Sequence, residues 1–318
     1  MERTGIISGV LLSSTMDLKS FYGLDFAERG EKVRLLNPDE VTDHEEIRFA
    51  VCWLPDGDAF APYPNLQMAM SIGAGVDALL NHEGLHDEAM ICRVRDPHQA
   101  DLMAGYAVHE TLHFLRGFDR MKASQEARQW APLPMQPPKH TRIAVLGNGT
   151  MGAAVTRALA AVGFSLAVAC RNEPREPLPG VTYFAGENAP LRAAEGAAVL
   201  INVLPLTPET ENILNADLFD RLAEGAWLIQ IGRGEHLHEA DFVEALESGR
   251  LSGASLDVFR QEPLPEDHPF WGDGRLRITP HIASDSTPSV VADQVLQSAR
   301  ELLSGERPSL AIDRGRGY

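Results

Sequence analysis

Three residues whose types could do chemistry together each follow a short apolar run. Arg233 follows "AWLIQIG", Glu262 follows "SGASLDVF" and His281 follows "LRITP". An arginine can bind a carboxylate through paired hydrogen bonds and polarise the adjacent carbonyl. A carboxylate beside an imidazole favours the charged imidazolium, which can donate a proton to a carbonyl oxygen as hydride arrives. The trio therefore suits reduction of a 2-oxo acid, although His281 alone fits an ordinary loop histidine.

The elements that must position this trio alternate between strand-like and helical patterns, which is typical of an α/β protein. From Arg142 onward, apolar runs separated by helical segments have the rhythm of a doubly wound parallel sheet. Such sheets bind ligands at the carboxyl ends of their strands, where the trio falls. The first hundred residues contain four further strand-like runs: "GIISGVLL", "VRLL", "FAVCWL" and "LQMAMSIG". Helices are predicted over 99–118 and 288–303, and the Pro-rich "QWAPLPMQPPKH" predicts an irregular arm.

Composition narrows the possible partners. The chain has 318 residues, 44% of them hydrophobic, which is enough for two domains. A net charge of −17 disfavours nucleic acid and anionic membranes as partners, because both require a basic face. The apolar runs are too short to span a bilayer, and the first residues lack the pattern of a signal peptide. Three dispersed cysteines suit a reduced cytoplasm and predict no metal site.

A glycine motif, "VLGNGTMG", predicts a dinucleotide site. Gly147, Gly149 and Gly152 form G-x-G-x-x-G directly after a predicted strand, and Thr150 and Met151 open an Ala-rich helix. The first glycine permits the tight turn, the second lets the backbone approach a pyrophosphate, and the third lets helix and strand pack closely. The helix N-terminus would then hold the phosphates.

The residues after the second strand of this unit bear on the choice of dinucleotide. NAD binding usually requires an acidic residue there. This chain instead has Arg171, with Asn172 and Arg175 close behind. Guanidinium groups suit the 2′-phosphate of NADP, so NADP is the preferred cofactor. Glu173 and Glu176 leave NAD possible, because either could bond a ribose.

The ordered motifs "GNGTMG", "LPLTPETENI", "GRGEHLHEADFVEAL", "GASLDVFRQEPLP" and "ITPHIA" resemble those of the D-isomer-specific 2-hydroxyacid dehydrogenases. "SIGAGVDALL", "GYAVHETLHFLRGFDR", "QWAPLP" and the terminal "DRGRGY" resemble its glyoxylate/hydroxypyruvate reductase A subgroup. The resemblance implies two flavodoxin-like or Rossmann-like domains with an active site in the cleft between them, and usually a homodimer. It places the catalytic set of the family on Arg233, Glu262 and His281.

The same resemblance implies further binding residues. Backbone N–H groups near Ala74 and Gly75 would hold the substrate carboxylate with Arg233. Trp53 would cover a small substrate, with a core aromatic as the alternative. The implied cofactor contacts are Leu204, Pro205, Ile231, Gly232 and Asp257, the last near the nicotinamide ribose or carboxamide unless its role is purely structural.

We therefore expect an α/β protein with two doubly wound parallel-sheet domains. The substrate domain would comprise 1–98 plus 286–318, and the Rossmann domain 99–285. The expected function is NAD(P)H-dependent reduction of glyoxylate and hydroxypyruvate in the cytoplasm. The alternatives are a larger acid such as 3-phosphohydroxypyruvate, or a dinucleotide-sensing protein with little turnover.

A few residues near these motifs receive no role from the sequence. Gln230 stands where the family often has Asn, and no function follows for Arg93, Arg95 or Met103. His236 and His238 fit a solvated helix start better than a metal site.

Overall fold

The computed structural model describes residues 5–26 and 30–314, which form two compact units. The first unit runs to His98 and resumes at Asp285, and the second spans Gln99–Ser284. Asp285 belongs to the first unit, where its carboxylate accepts a hydrogen bond from the Tyr22 hydroxyl at 3.2 Å. The last four residues of "DRGRGY" lie outside the described residues. Within the described ranges no helix has the length and apolar character needed to cross a membrane.

The first unit is built on a five-stranded parallel sheet with the order β2-β1-β3-β4-β5. Its elements up to His98 are β1 (Ile7–Ser13), α1 (Leu18–Tyr22), β2 (Val33–Leu36), β3 (Ile47–Trp53), β4 (Met68–Ser71), α2 (Asp77–Leu80) and β5 (Met90–Arg93). The central strands β1, β3 and β4 are buried on both faces, because apolar side chains cover each side of the sheet. This explains why they read as nearly continuous apolar runs rather than alternating ones.

The second unit contains a seven-stranded parallel sheet. Its elements are α3 (Gln99–Arg116), α4 (Phe118–Glu126), β6 (Arg142–Leu146), α5 (Thr150–Val162), β7 (Ser165–Cys170), β8 (Val181–Ala185), α6 (Ala189–Ala194), β9 (Val199–Asn202), α7 (Ala216–Phe219), β10 (Ala226–Gln230), α8 (Glu239–Glu247), β11 (Leu251–Leu256) and β12 (Leu276–Ile278). The strand order is β12-β11-β10-β9-β6-β7-β8. The order reverses beside β6, the position where doubly wound sheets bind ligands.

The final helix, α9 (Pro288–Ser304), returns the chain to the first unit. Val291, Val295 and Ala299 on one face of this helix pack into the same apolar cluster as Phe49 and Met70 of the sheet. The helix ends at Gly305, whose φ of +81° suits glycine.

The prediction of two doubly wound parallel sheets is confirmed, with local differences. β5 and β8 have no counterpart among the predicted strands; both lie at sheet edges, and β8 is mostly half-buried, so its sequence lacks a continuous apolar run. The predicted helix over 99–118 ends at Arg116, because Gly117 has a φ of +64°. The Pro-rich stretch is irregular apart from a short 3-10 turn at Pro138–His140, and Trp130 within it is 99% exposed.

Candidate active site

The three residues of the expected catalytic set follow the carboxyl ends of adjacent strands, at one edge of the second sheet. Strands β10, β11 and β12 are parallel neighbours, and they are followed by Arg233, Glu262 and His281 respectively. The turn after β10 packs directly onto the segment after β11. A Cβ added to Gly234 would lie 1.9 Å from the carbonyl carbon of Phe259, so only glycine permits this approach. The fold thus brings the Arg233 turn and the Glu262 segment together.

His281 and Glu262 form a direct hydrogen-bonded pair. The Nδ1 atom of His281 lies 2.7 Å from Oε2 of Glu262, and the two side chains are 21% and 17% exposed. The other carboxylate oxygen, Oε1, accepts a hydrogen bond from the Phe259 amide at 2.9 Å. Glu262 is therefore fixed at both oxygens, and its Oε2 orients the imidazole ring.

The turn that carries His281 is held by Asp257, which is 1% exposed. Its carboxylate accepts hydrogen bonds from the Thr279 hydroxyl at 2.6 Å, the Ile282 amide at 2.9 Å and the Ala283 amide at 2.8 Å. His281 has a φ of +56°, a left-handed conformation that this clamp stabilises. These three internal bonds support the structural alternative for Asp257.

Helix α3 reinforces the same turn through a tyrosine. The Tyr106 hydroxyl lies 2.8 Å from the Thr279 hydroxyl, which in turn donates to Asp257. Burial raises the pKa of Tyr106, so the phenol stays neutral and can hydrogen-bond without carrying charge. Tyr106 thereby links α3 to the turn of His281, a role that the predicted helix over 99–118 did not reveal.

A second contact from α3 involves a buried carboxylate. Glu110 is 3% exposed and accepts hydrogen bonds from Arg277 Nε at 2.8 Å and from the Ser255 hydroxyl at 2.6 Å. Burial opposes ionisation of Glu110, but the hydrogen bonds and charge of Arg277 and the bond from Ser255 outweigh it and lower its pKa. The pair fixes α3 to β12, the strand that leads to His281. The sequence offers one signal for this contact, because Glu110 lies among the buried positions of α3, where an unpaired charge would be costly.

The glycine motif adopts the expected strand-turn-helix arrangement between β6 and α5. Gly147 has a φ of +108°, and a Cβ there would lie 3.1 Å from the Val203 carbonyl oxygen. At Gly152 an added Cβ would lie 2.0 Å from the Gly147 carbonyl oxygen, whereas at Gly149 it would meet nothing within 4 Å. Thr150 and Met151 form the first turn of α5. Gly149 therefore faces open space at a helix N-terminus.

The basic residues expected near the ribose follow β7 directly. The strand ends at Cys170, and Arg171, Asn172 and Arg175 are all exposed. Two arginines thus follow the carboxyl end of β7. The cysteines at 52, 92 and 170 are buried free thiols.

In the first unit, Trp53 at the end of β3 stands beside the Gly73–Gly75 loop. A Cβ added to Gly73 would lie 3.0 Å from the indole ring. The Ala74 carbonyl accepts a hydrogen bond from Arg93 at 3.0 Å. Because a trans peptide points its C=O and N–H in opposite directions, this bond turns the Gly75 N–H away from Arg93.

Arg93, for which the sequence predicts no role, therefore holds the loop through the Ala74 carbonyl. Burial, and then the neighbouring charge of Arg95, lower the pKa of its guanidinium. Neither effect removes the charge of an arginine at neutral pH, so Arg93 places a cation beside the loop. Met103 instead packs against the apolar core of the second unit, and the Arg95 amide donates to Gln294 at 2.8 Å.

The expectation that His236 and His238 mark a solvated helix start is wrong for His236. His238 is exposed, and its Nδ1 lies 2.9 Å from Asp241. His236 is completely buried because the turn after β10 folds it inward against Asn202 and the Pro205 carbonyl. In the described part of the chain, no group of three or more His, Cys, Asp or Glu could hold a metal ion.

Known proteins are similar to this chain in sequence and in fold. Residues 108–283 match the model of the D-isomer specific 2-hydroxyacid dehydrogenase NAD binding domain. The glyoxylate/hydroxypyruvate reductase A of Serratia proteamaculans is 38% identical over 281 residues, which cover 87% of this chain and 89% of that protein.

Two solved structures extend the comparison to the whole fold. A D-isomer specific 2-hydroxyacid dehydrogenase from Xanthobacter autotrophicus, in complex with NADPH and MES, is 33% identical with a TM-score of 0.82 and covers 98% of this chain and 99% of its own. An NADPH-dependent glyoxylate/hydroxypyruvate reductase from Sinorhizobium meliloti, in complex with NADP and sulfate, is 28% identical with a TM-score of 0.84, at 98% and 99% coverage.

Proposed function

The chain belongs to the D-isomer-specific 2-hydroxyacid dehydrogenase family, and on that premise we propose that it is an NADPH-dependent reductase of small 2-oxo acids. The observation that carries the proposal is the hydrogen-bonded pair of His281 and Glu262, whose Nδ1 and Oε2 atoms are 2.7 Å apart. Arg233 follows a neighbouring strand at the same edge of the sheet. A protein that only sensed a dinucleotide would need no acid with a carboxylate partner. The intact set therefore favours turnover over sensing.

NADPH fits the second unit, which we infer to be the dinucleotide-binding domain, residues 99–285. The open space at Gly149 would admit a pyrophosphate to the N-terminus of α5. Arg171 and Arg175, with Asn172, would bind the 2′-phosphate and its ribose. Leu204, Pro205, Ile231 and Gly232 would approach the nicotinamide half through their backbone. The two NADP-bound relatives support this choice of cofactor.

The chemistry divides among three side chains. The bound cofactor supplies a hydride to the carbonyl carbon of the substrate. We infer that the Arg233 guanidinium binds the substrate carboxylate and polarises the carbonyl, as a planar fork suits both oxygens. Protonated His281 donates its proton to the carbonyl oxygen, which becomes the hydroxyl of the 2-hydroxy acid. Glu262 favours the charged imidazolium and holds the ring in place.

The first unit would serve as the substrate domain, residues 1–98 and 286–318. Its Gly73–Gly75 loop offers the Gly75 amide, oriented by Arg93, as a donor to a carboxylate. Trp53 beside that loop would limit the size of the substrate, which favours glyoxylate and hydroxypyruvate over branched acids. The reductase named in Serratia proteamaculans supports this substrate class. We further propose a cytoplasmic homodimer.

Steady-state oxidation of NADPH with a panel of 2-oxo acids tests the proposal. Glyoxylate and hydroxypyruvate are expected to give higher kcat/KM than pyruvate, 2-oxoisocaproate or 3-phosphohydroxypyruvate. His281→Asn is expected to lower kcat by about a hundredfold or more while leaving NADPH affinity unchanged. Near-native kcat in that variant would refute the acid role, and tight NADPH binding without turnover of any acid would favour the sensor.

A further inference from the structure

Three completely buried polar side chains meet next to Arg233. Asn202 ends β9 and Gln230 ends β10, and the two residues are paired in register on neighbouring strands. His236 lies in the 3-10 turn Gly234–His236 that follows β10. A buried polar group without a partner is costly, so side chains at such positions indicate a specific hydrogen-bonding task.

The three side chains bond to one another through the Asn202 amide. Its Nδ2 donates to Gln230 Oε1 at 2.8 Å and to His236 Nδ1 at 2.9 Å, which uses both of its hydrogens. The Nδ1 atom of His236 is therefore an acceptor, and its single lone pair is shared between Asn202 and the Arg233 N–H. The proton of the neutral ring then sits on Nε2, 3.3 Å from the Pro205 carbonyl oxygen.

This cluster holds both main-chain polar groups of Arg233. The Arg233 N–H donates to His236 Nδ1 at 3.0 Å, and the Arg233 carbonyl accepts from Gln230 Nε2 at 2.8 Å. Gly232, the preceding residue, donates its N–H to Gln230 Oε1 at 3.2 Å. The backbone from which the guanidinium projects is thus set by side chains.

The same cluster reaches the loop after β9. Asn202 Oδ1 accepts from the Leu204 amide at 3.3 Å, and His236 contacts the Pro205 carbonyl. The cluster is packed closely against the backbone, because a Cβ added to Gly232 would lie 2.8 Å from both Asn202 Nδ2 and His236 Nδ1. The Arg233 backbone and the Leu204–Pro205 loop are therefore tied to one rigid set of atoms.

We propose that Asn202, Gln230 and His236 act as one positioning unit for Arg233. They keep its guanidinium in register with the loop that approaches the cofactor, and so control binding of the substrate carboxylate. The proposal rests on the proposed function, in which Arg233 binds that carboxylate. It also assigns a role to Gln230, and it makes His236 a positioning residue rather than a surface histidine.

Two substitutions of His236 separate its two nitrogen positions. In His236→Asn the amide oxygen replaces Nδ1, so an acceptor for the Arg233 N–H is kept. In His236→Gln the longer amide replaces Nε2, so contact with Pro205 is kept and that acceptor is lost. His238→Asn, at the exposed neighbouring histidine, is the matched control. Gln230→Met, similar in length but without polar amide atoms, leaves His236 in place and removes the bond to the Arg233 carbonyl, together with the bonds that Gln230 accepts from Asn202 and Gly232.

Three measurements avoid turnover. Hydrogen exchange of the peptide containing Arg233 is measured in the protein without cofactor. Oxalate, a planar mimic of a 2-oxo acid, is titrated into the NADP⁺ complex, and NADPH affinity is measured separately. His236→Gln and Gln230→Met are expected to speed exchange at Arg233 and to weaken oxalate binding by about tenfold to a hundredfold. His236→Asn stays within about fivefold of wild type, and His238→Asn matches it.

In His236→Gln and Gln230→Met, kcat/KM for glyoxylate should fall in parallel with oxalate affinity, while NADPH affinity should stay at the wild-type value. The proposal would be overturned if His236→Asn and His236→Gln lost oxalate affinity equally and in proportion to their loss of thermal stability. Oxalate affinity that is unchanged in both His236→Gln and Gln230→Met would also overturn it. A wild-type protein that reduces no 2-oxo acid refutes the proposed function instead, and the exchange measurement still reports whether the cluster holds Arg233.

Discussion

The three glycines of the dinucleotide motif make a sharp prediction, because the structure gives each a different surrounding. At Gly152 the clashing atom is a backbone carbonyl oxygen, 2.0 Å from an added Cβ, and ordinary contact begins near 3.4 Å. Gly152→Ala must therefore push α5 and the turn apart by more than an ångström. At Gly149 the added Cβ meets no protein atom within 4 Å. Gly152→Ala should therefore lower stability, whereas Gly149→Ala should lower cofactor affinity.

The magnitudes follow from these distances. Overpacking usually costs 1–3 kcal/mol, and a rigid backbone neighbour puts Gly152→Ala near the top, at about 3 kcal/mol. With roughly 2–4 °C per kcal/mol for a domain of this size, the melting temperature should fall by about 6–12 °C. Gly149→Ala should change stability by less than about 1 kcal/mol. Its methyl group would instead obstruct the pyrophosphate, at a cost of about 2 kcal/mol, or roughly thirtyfold in NADPH affinity.

Calorimetric melting of the cofactor-free protein and fluorescence titration with NADPH measure the two effects separately. Wild type provides the common reference, and each variant serves as the control for the other. The reasoning is refuted if Gly149→Ala binds NADPH like wild type, or if Gly152→Ala melts at the wild-type temperature. Equal behaviour of the two variants in both assays would show that the motif acts as a single structural turn.

Three further predictions concern other parts of the molecule. The hydrogen bonds and the charge of Arg277 lower the pKa of Glu110. The stability that ionised Glu110 contributes should therefore be present at neutral pH and be lost as pH falls below the pKa of an ordinary glutamate. Glu110→Gln should thus lower the free energy of unfolding by about 2 kcal/mol at pH 7 and by less in acid; a pH-independent difference would refute the ionic contribution. Replacing Arg171 and Arg175 with Ala should weaken NADPH binding about a hundredfold and leave NADH binding nearly unchanged; equal wild-type affinities for the two cofactors would oppose this. Trp53→Ala should raise kcat/KM for 2-oxoisocaproate relative to glyoxylate by about tenfold, whereas equal losses on all acids would make the indole structural.

The sequence by itself determined the fold class and most of the strands. Short apolar runs such as 226–229, bounded by turn residues, are typical of strands buried on both faces, and parallel neighbours place their ends at one edge. This is enough to bring Arg233, Glu262 and His281 to the same side of a sheet. The glycine motif was equally readable, because each glycine answers a local demand for space or backbone freedom.

Only the tertiary structure decided which side chains are turned inward. His236 and His238 are two residues apart in similar sequence, yet one is buried against Asn202 and the other is exposed. Tyr106 and Glu110 support the segment around His281 from a helix more than a hundred and fifty residues away in sequence. Hydrophobic periodicity reports which face of an element is buried, but the partner of a buried polar group depends on how distant segments meet in space.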